Sequence, residues 1–203
     1  VSPRAGIVYK PKENISVYAS YSESFLPKSG DQFANINGDA DDLDPNTYEN
    51  REIGMKWDFR NGISLTMAVF ENEESAPQVD DNDPNAFVVV DSEIEGYEIQ
   101  LEGQMTDRWF ISASYGNLDG EQVYQSGPTG LKPRELPEHM ASIWSMYRVS
   151  DNLGLGLGAT YQDESFIDNG NTAVLPSYTR TDMAIIYDVS DALRVQLNIE
   201  NLT

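Results

Sequence analysis

The residues best suited to hold a ligand are the aromatics Phe25, Phe33, Tyr124 and Phe166 and the cations Lys28, Lys132 and Arg134, all in or beside polar, turn-rich segments. Rings and scarce positive charges converging at one place suit an anionic aromatic ligand, through stacking and charge pairing. The competing expectation for each residue is that it packs its own loop. A second chemistry is cation binding by the acidic runs at Asp39, Asp41, Asp42 and Asp44 and at Asp80, Asp81 and Asp83. Neither run has the spacing of an EF-hand loop, and runs of like charge are more often solvated surface, so calcium is a weak expectation.

Catalysis finds little support. A Ser-His-Asp site would need His139, the single histidine, which follows Pro137-Glu138 at the start of an extended run and reads as a rim residue. The glycines of Gly154-Leu-Gly-Leu-Gly158 alternate like strand residues and do not open a helix, so they are not a phosphate loop. With no cysteine there is no disulfide, thiol nucleophile or thiolate metal site. No enzyme activity and no covalently bound cofactor is expected.

The elements that position these residues are strands. Tyr147-Arg-Val-Ser-Asp-Asn-Leu153 recurs as Tyr187-Asp-Val-Ser-Asp-Ala-Leu193, and after the second copy Leu193, Val195, Leu197 and Ile199 alternate with Arg194, Gln196, Asn198 and Glu200. Period-two alternation with breakers predicts strands at 3–10, 15–25, 48–59, 63–72, 86–105, 109–119, 139–149, 153–162, 178–188 and 193–201. Tight turns at 10–14, 60–62, 106–108, 150–152 and 190–192 alternate with connections of roughly a dozen to twenty residues, so the long loops share one end. This is the pattern of an up-and-down transmembrane β-barrel, here about ten strands of one, with short periplasmic turns and long extracellular loops.

Leu65, Leu101, Leu155 and Leu197 are expected to face lipid, and Thr66, Gln100, Gly156 and Gln196 the lumen. Glu98, Arg194 and Asn198 join the lumen face. Gly154, Gly156 and Gly158 leave their face of the strand almost bare, which suggests a crowded or sharply curved wall. Tyr9, Trp57, Phe59, Trp109, Tyr147 and Tyr187 stand near the short turns, where an interfacial girdle would lie. Lys10, Lys12, Arg60, Arg108 and Arg148 cluster at that same end, opposite the acidic loops.

The bulk composition fits this reading. Thirteen Lys and Arg against 34 Asp and Glu give a net charge of −21, which repels nucleic acid. A hydrophobic fraction of 39% and the lack of any long apolar run exclude spanning helices but not a barrel, whose strands give half their residues to a polar lumen.

Particular stretches carry a family resemblance. Tyr18-Ala-Ser-Tyr-Ser-Glu-Ser-Phe-Leu-Pro27, Leu43-Asp-Pro-Asn-Thr-Tyr-Glu-Asn-Arg-Glu-Ile-Gly-Met-Lys-Trp57, Glu95-Gly-Tyr-Glu-Ile-Gln-Leu-Glu-Gly103 with Thr106-Asp-Arg-Trp109, and Leu175-Pro-Ser-Tyr-Thr-Arg-Thr-Asp182 running to Leu197-Asn-Ile-Glu-Asn-Leu202 resemble consecutive barrel strands of TonB-dependent siderophore receptors of the ferrichrome and catecholate type. The resemblance implies that residues 1–203 are a C-terminal part of a 22-stranded barrel in the outer membrane of a Gram-negative bacterium, with the plug domain and final strands absent. It implies uptake of a ferric siderophore, a TonB complex reached through the missing plug region, and contact with outer-membrane lipid. The alternatives are a passive porin and an acidic calcium-binding surface β-protein, with a small outer-membrane enzyme behind both.

Overall fold

The computed structural model describes residues 2–26, 45–60, 62–80, 83–124 and 127–203. Its elements are β1 (Arg4–Lys12), β2 (Ile15–Leu26), β3 (Asn46–Arg60), β4 (Ile63–Asp80), β5 (Asp83–Thr106), β6 (Trp109–Tyr124), β7 (Gly127–Pro128), β8 (His139–Arg148), β9 (Leu153–Gln162), β10 (Ser165–Phe166), β11 (Val174–Leu175), β12 (Tyr178–Ser190) and β13 (Leu193–Ile199). Ten of them form one sheet in chain order, β1-β2-β3-β4-β5-β6-β8-β9-β12-β13, with β7 folded back on β6 and β10 paired with β11 alone. Every pairing is antiparallel, as short hairpin turns require. The tight turns therefore fall at one end and the connections after β2, β4, β6 and β9 at the other.

The strand positions agree with the alternation, but β4 and β6 run well past it. β4 and β5 stay paired through Val79 opposite Phe87 and Asp80 opposite Asp83, so residues 73–80 and 83–85 of the loop expected over 73–85 belong to paired strands. β6 likewise continues to Tyr124. Alternation ends near Glu71 because both faces turn polar there, and a ladder of backbone hydrogen bonds needs no greasy side to continue.

Register fixes the faces, because residues directly opposite each other in an antiparallel pair project to the same side. One row runs Trp57, Leu65, Leu101, Ala113, Ile143, Ala159, and the next Met55, Met67, Ile99, Tyr115. Leu155, Ile185 and Leu197 carry the same face onward. Thr66, Gln100, Ser114, Ser142 and Thr160 form a row on the other face, which Gly156, Ala184, Gln196 and Asn198 share. Among the described residues no second layer covers either one. Among the described residues the buried hydrophobics are only Ile63, Ala68 and Ala184, whereas Leu157, Ile53 and Val69 are 61%, 59% and 56% exposed.

The polar face is not as bare as the glycines suggest. The indole of Trp144, on β8, lies over β9: a Cβ built on Gly156 would meet it at 2.5 Å and one on Gly158 at 2.6 Å. Phe70 lies on Gly96 at 2.7 Å in the same sense, and the Tyr18 ring lies on Gly54. Glycine here makes room for a neighbouring ring, so the expected crowding is an aromatic laid flat on backbone. Gly156→Val should therefore lower the stability of the intact protein by about 1 to 3 kcal/mol through overpacking. Combined with Trp144→Ala it should cost less than the sum of the two single changes, read from thermal unfolding in detergent.

Candidate functional site at the loop end of the sheet

The connections after β6 and β9 are structured. From Gly127 the chain turns back on β6, with Thr129 N–H donating to Gln122 O at 3.1 Å and Gln122 N–H donating to Leu131 O at 2.8 Å. β10 and β11 form a small hairpin closed by Asp168, whose carboxylate accepts from Thr172 N–H at 3.1 Å, Thr172 Oγ1 at 3.0 Å and Ala173 N–H at 3.0 Å. Those bonds, with Thr172 N–H foremost, hold the Asp168 carboxyl below the usual carboxylate range.

The two connections pack on each other. Glu135 N–H donates to Phe166 O at 2.7 Å, and Lys132 N–H donates to Asn171 Oδ1 at 2.8 Å. Between them and the end of β6 is a cavity of about 270 Å³ lined by Lys132, Leu136, Glu138, Glu164, Phe166 and Val174.

Several expected ligand residues thus come together and others do not. Lys132 and Phe166 line one cavity, and exposed Arg134 stands in the same connection. Lys132 is not a free cation: its Nζ donates to Asp119 Oδ1 at 2.5 Å, above the apolar rows, and that bond keeps the Asp119 carboxyl low. Tyr124 is half-buried at the end of β6, opposite Val90 and Gly127. Phe25 lies apart on the far end of β2, opposite Thr47. Lys28, Phe33, Asp39, Asp41, Asp42, Asp44 and Asp81 lie outside the described residues. Among the described residues no group of three or more acidic, histidine or cysteine side chains is placed to hold a metal ion.

Of the expected lumen residues, Arg194 is tied to its cross-strand partner, with Nε donating to Asp188 Oδ1 at 2.5 Å and Nη2 to Oδ2 at 3.1 Å. Gln196 Nε2 donates to Asn198 Oδ1 at 2.8 Å, while Glu98 and Gln100 are exposed. His139 is a rim residue as expected, its Nδ1 lying 2.8 Å from Tyr115 Oη and 3.2 Å from Asn117 Nδ2.

Two features escaped the sequence reading. Gln122 sits at the centre of the loop contacts, 1% exposed. The other is a lateral row of glutamates, Glu23, Glu49, Glu73, Glu93 and Glu121, each directly opposite the next across β2 to β6 on the same face as the apolar rows. The signal for the second lay in the spacing, two residues on from Tyr21, Arg51, Glu71, Glu95 and Asp119, but it needs the register to be seen. Arg51 moderates one side of the row, with Nη1 at 2.7 Å from Glu73 and 3.0 Å from Glu71, and Nη2 at 2.7 Å from Glu49.

Fold and site together define a section of a barrel wall: one antiparallel layer, unlike faces, short turns at one end and docked connections at the other. The chain matches the family model "TonB dependent receptor-like, beta-barrel" over residues 1–202, and it belongs to that family. It is 37% identical over its whole length to the probable TonB-dependent siderophore receptor PiuA of Acinetobacter baumannii, of which it covers 30%. It is 32% identical, again over its whole length, to the ferrioxamine B receptor of Salmonella typhimurium, of which it also covers 30%. The crystal structure of the siderophore receptor PiuA superposes with a TM-score of 0.86, over 98% of this chain and 31% of that one. The chain therefore spans just under a third of the length of these relatives. Neither the porin nor the calcium-binding surface protein fits this family.

Like charges directly opposite in a ladder are destabilising, and Glu93 has a glutamate on each side. Glu93→Gln should raise the unfolding midpoint of the intact protein at low ionic strength, by ~0.2 to 1 kcal/mol. The gain should shrink as salt rises to about 1 M, where the screening length falls to ~3 Å.

Proposed function

We propose that this chain is a section of the wall of a Gram-negative outer-membrane receptor that captures ferric siderophores at its extracellular mouth and imports them with energy delivered through TonB. The observation that carries the membrane assignment is the single-layer sheet with one predominantly apolar face whose large side chains are mostly half-buried or exposed. In water that face would forgo ~25 cal/mol for every Å² left uncovered, whereas against hydrocarbon it forgoes nothing. The siderophore assignment is supported by what the relatives' names say they bind or receive.

In this reading Leu65, Leu101, Leu155 and Leu197 meet lipid, while Glu98, Gln100, Gln196, Asn198 and the Asp188–Arg194 pair line the lumen against the plug. Uptake makes and breaks no covalent bond; it needs capture, then rearrangement. Arg134, Phe166 and Tyr124 are the mouth residues in reach of an incoming chelate. Phe25 on β2 and Lys28 and Phe33 on the connection after it remain candidates, and Lys132, on the connection after β6, acts as the partner of Asp119.

Two measurements test this on the full-length protein. Cysteines at Leu65 and Leu155 should react with a lipid-soluble reagent and those at Thr66 and Gln196 with a water-soluble one, and equal labelling of both sets by the second reagent would refute the faces. Arg at Leu155 should cost on the order of 2 to 4 kcal/mol of folding stability.

Ligand is tested separately. Cells starved of iron and expressing the receptor should bind radiolabelled ferric catecholates or hydroxamates and accumulate them only when TonB is present. Arg134→Ala or Phe166→Ala should weaken binding about tenfold, the equivalent of ~1.4 kcal/mol, with assembly unchanged. A receptor that binds no ferric chelate overturns the substrate class.

A further inference from the structure

We infer that the connections after β6 and β9 form one cooperative unit keyed by Gln122, docking on the mouth and releasing from it together. This regulates access to the site proposed above and rests on that reading for its purpose, but its structural content stands on the contacts.

Gln122 belongs to β6 and reaches both connections at once. Its Nε2 donates to Lys132 O at 2.7 Å in the first and to Asn169 O at 2.8 Å in the second. Its backbone carbonyl also accepts from Thr129 Oγ1 at 2.7 Å. Asn171 completes the bridge from the other side, with Nδ2 donating to Lys132 O at 2.9 Å while Oδ1 accepts from Lys132 N–H. Lys132 O is thus shared by one amide from the wall and one from the second connection. Neither connection can lift away without breaking bonds that hold the other, which is the physical meaning of a cooperative unit.

The same site is built to release. Among the described residues Gln122 Oε1 is buried with no hydrogen-bond partner, so the two bonds made by its amide nitrogen are partly offset by an unsatisfied acceptor. The amide cannot turn over to relieve this, since Oε1 would then face two carbonyl oxygens. Glu135 and Asn171, the residues that carry contacts between the two connections, have φ of 59° and 53°, in the left-handed region. Asn tolerates that conformation and Glu does so at a cost. The orphan acceptor and the local strain offset part of what these bonds contribute, which lowers the cost of releasing the docked state. The 270 Å³ cavity has walls from both connections, so it exists only while both are docked.

Hydrogen exchange on the full-length receptor in lipid nanodiscs tests the coupling. Asp168→Ala removes bonds that lie wholly within the second connection. It should nevertheless speed exchange about tenfold at Thr129, Lys132 and Glu135 in the first, as well as at Ala173. Gln122→Met keeps the side-chain length but has no donor, and it should release both connections by a similar factor. The amides of 97–101 should keep parental protection in each variant, showing that the wall is intact. If Asp168→Ala frees only its own connection, or Gln122→Met leaves the second one protected, the coupling is wrong. A receptor that binds no ferric chelate but whose connections still exchange together would lose the proposed substrate and keep the coupling.

Discussion

The structure depends on a ladder of backbone hydrogen bonds carried through ten strands in a single layer. Each interior strand is satisfied sideways by its two neighbours, so the backbone asks nothing of whatever lies above or below the sheet. This frees the side chains from forming a core, and the described residues hold almost none. It also leaves two faces whose stability is decided from outside. Rows such as Trp57, Leu65, Leu101, Ala113 and Ile143 are stable only against an apolar medium, whereas Thr66, Gln100, Ser114 and Ser142 prefer a wet or polar one. A layer with one apolar and one polar solvent is what a closed membrane barrel provides.

Within that layer the details follow from limited room. On the polar face, large rings are seated where the neighbouring strand carries glycine, so Trp144 spreads over Gly156 and Gly158 without pushing the strands apart. Beyond the apolar rows the side-chain rule changes while the ladder continues. There the face that had been greasy becomes a row of glutamates with Arg51 set against it and Lys132 tied to Asp119 beside it. Exposed ion pairs of this kind contribute little each. Their effect is to keep like charges from being left wholly unopposed.

What was legible in the sequence was whatever repeats locally. Alternation located the ten strands, turn chemistry located the tight connections, and one fixed register followed because a slip by one residue would invert every face. The upper ends of β4 and β6 were illegible because Glu71 to Ser75 in the one and Asp119 to Gln122 in the other carry no apolar side chain on either face, and period two carries no signal without contrast. The loop contacts were illegible for another reason: Gln122 and Asn169 are 47 residues apart, and Lys132 and Asn171 are 39 apart. Single amide side chains in polar segments look alike until the chain is folded. The candidate ligand residues fell between these cases. Residue type picked out Lys132 and Phe166, which do meet, but could not tell that Asp119 occupies the lysine or that Phe25 stands on a different part of the wall.

Wall and mouth are held by different kinds of bond, and that division has a functional consequence. In the wall, strands such as β4 and β5 share an unbroken ladder from Ile63 opposite Gly103 to Val79 opposite Phe87, so no part of it opens without breaking many bonds together. At the mouth, the connections after β6 and β9 are joined to each other by a few bonds through Gln122, Lys132, Asn171 and Glu135. Resistance to local opening across one molecule then ranges from the long ladder to a docked pair of connections joined by a few bonds. Strands joined by long ladders resist local opening, whereas connections held by a few side-chain bonds are where opening costs least.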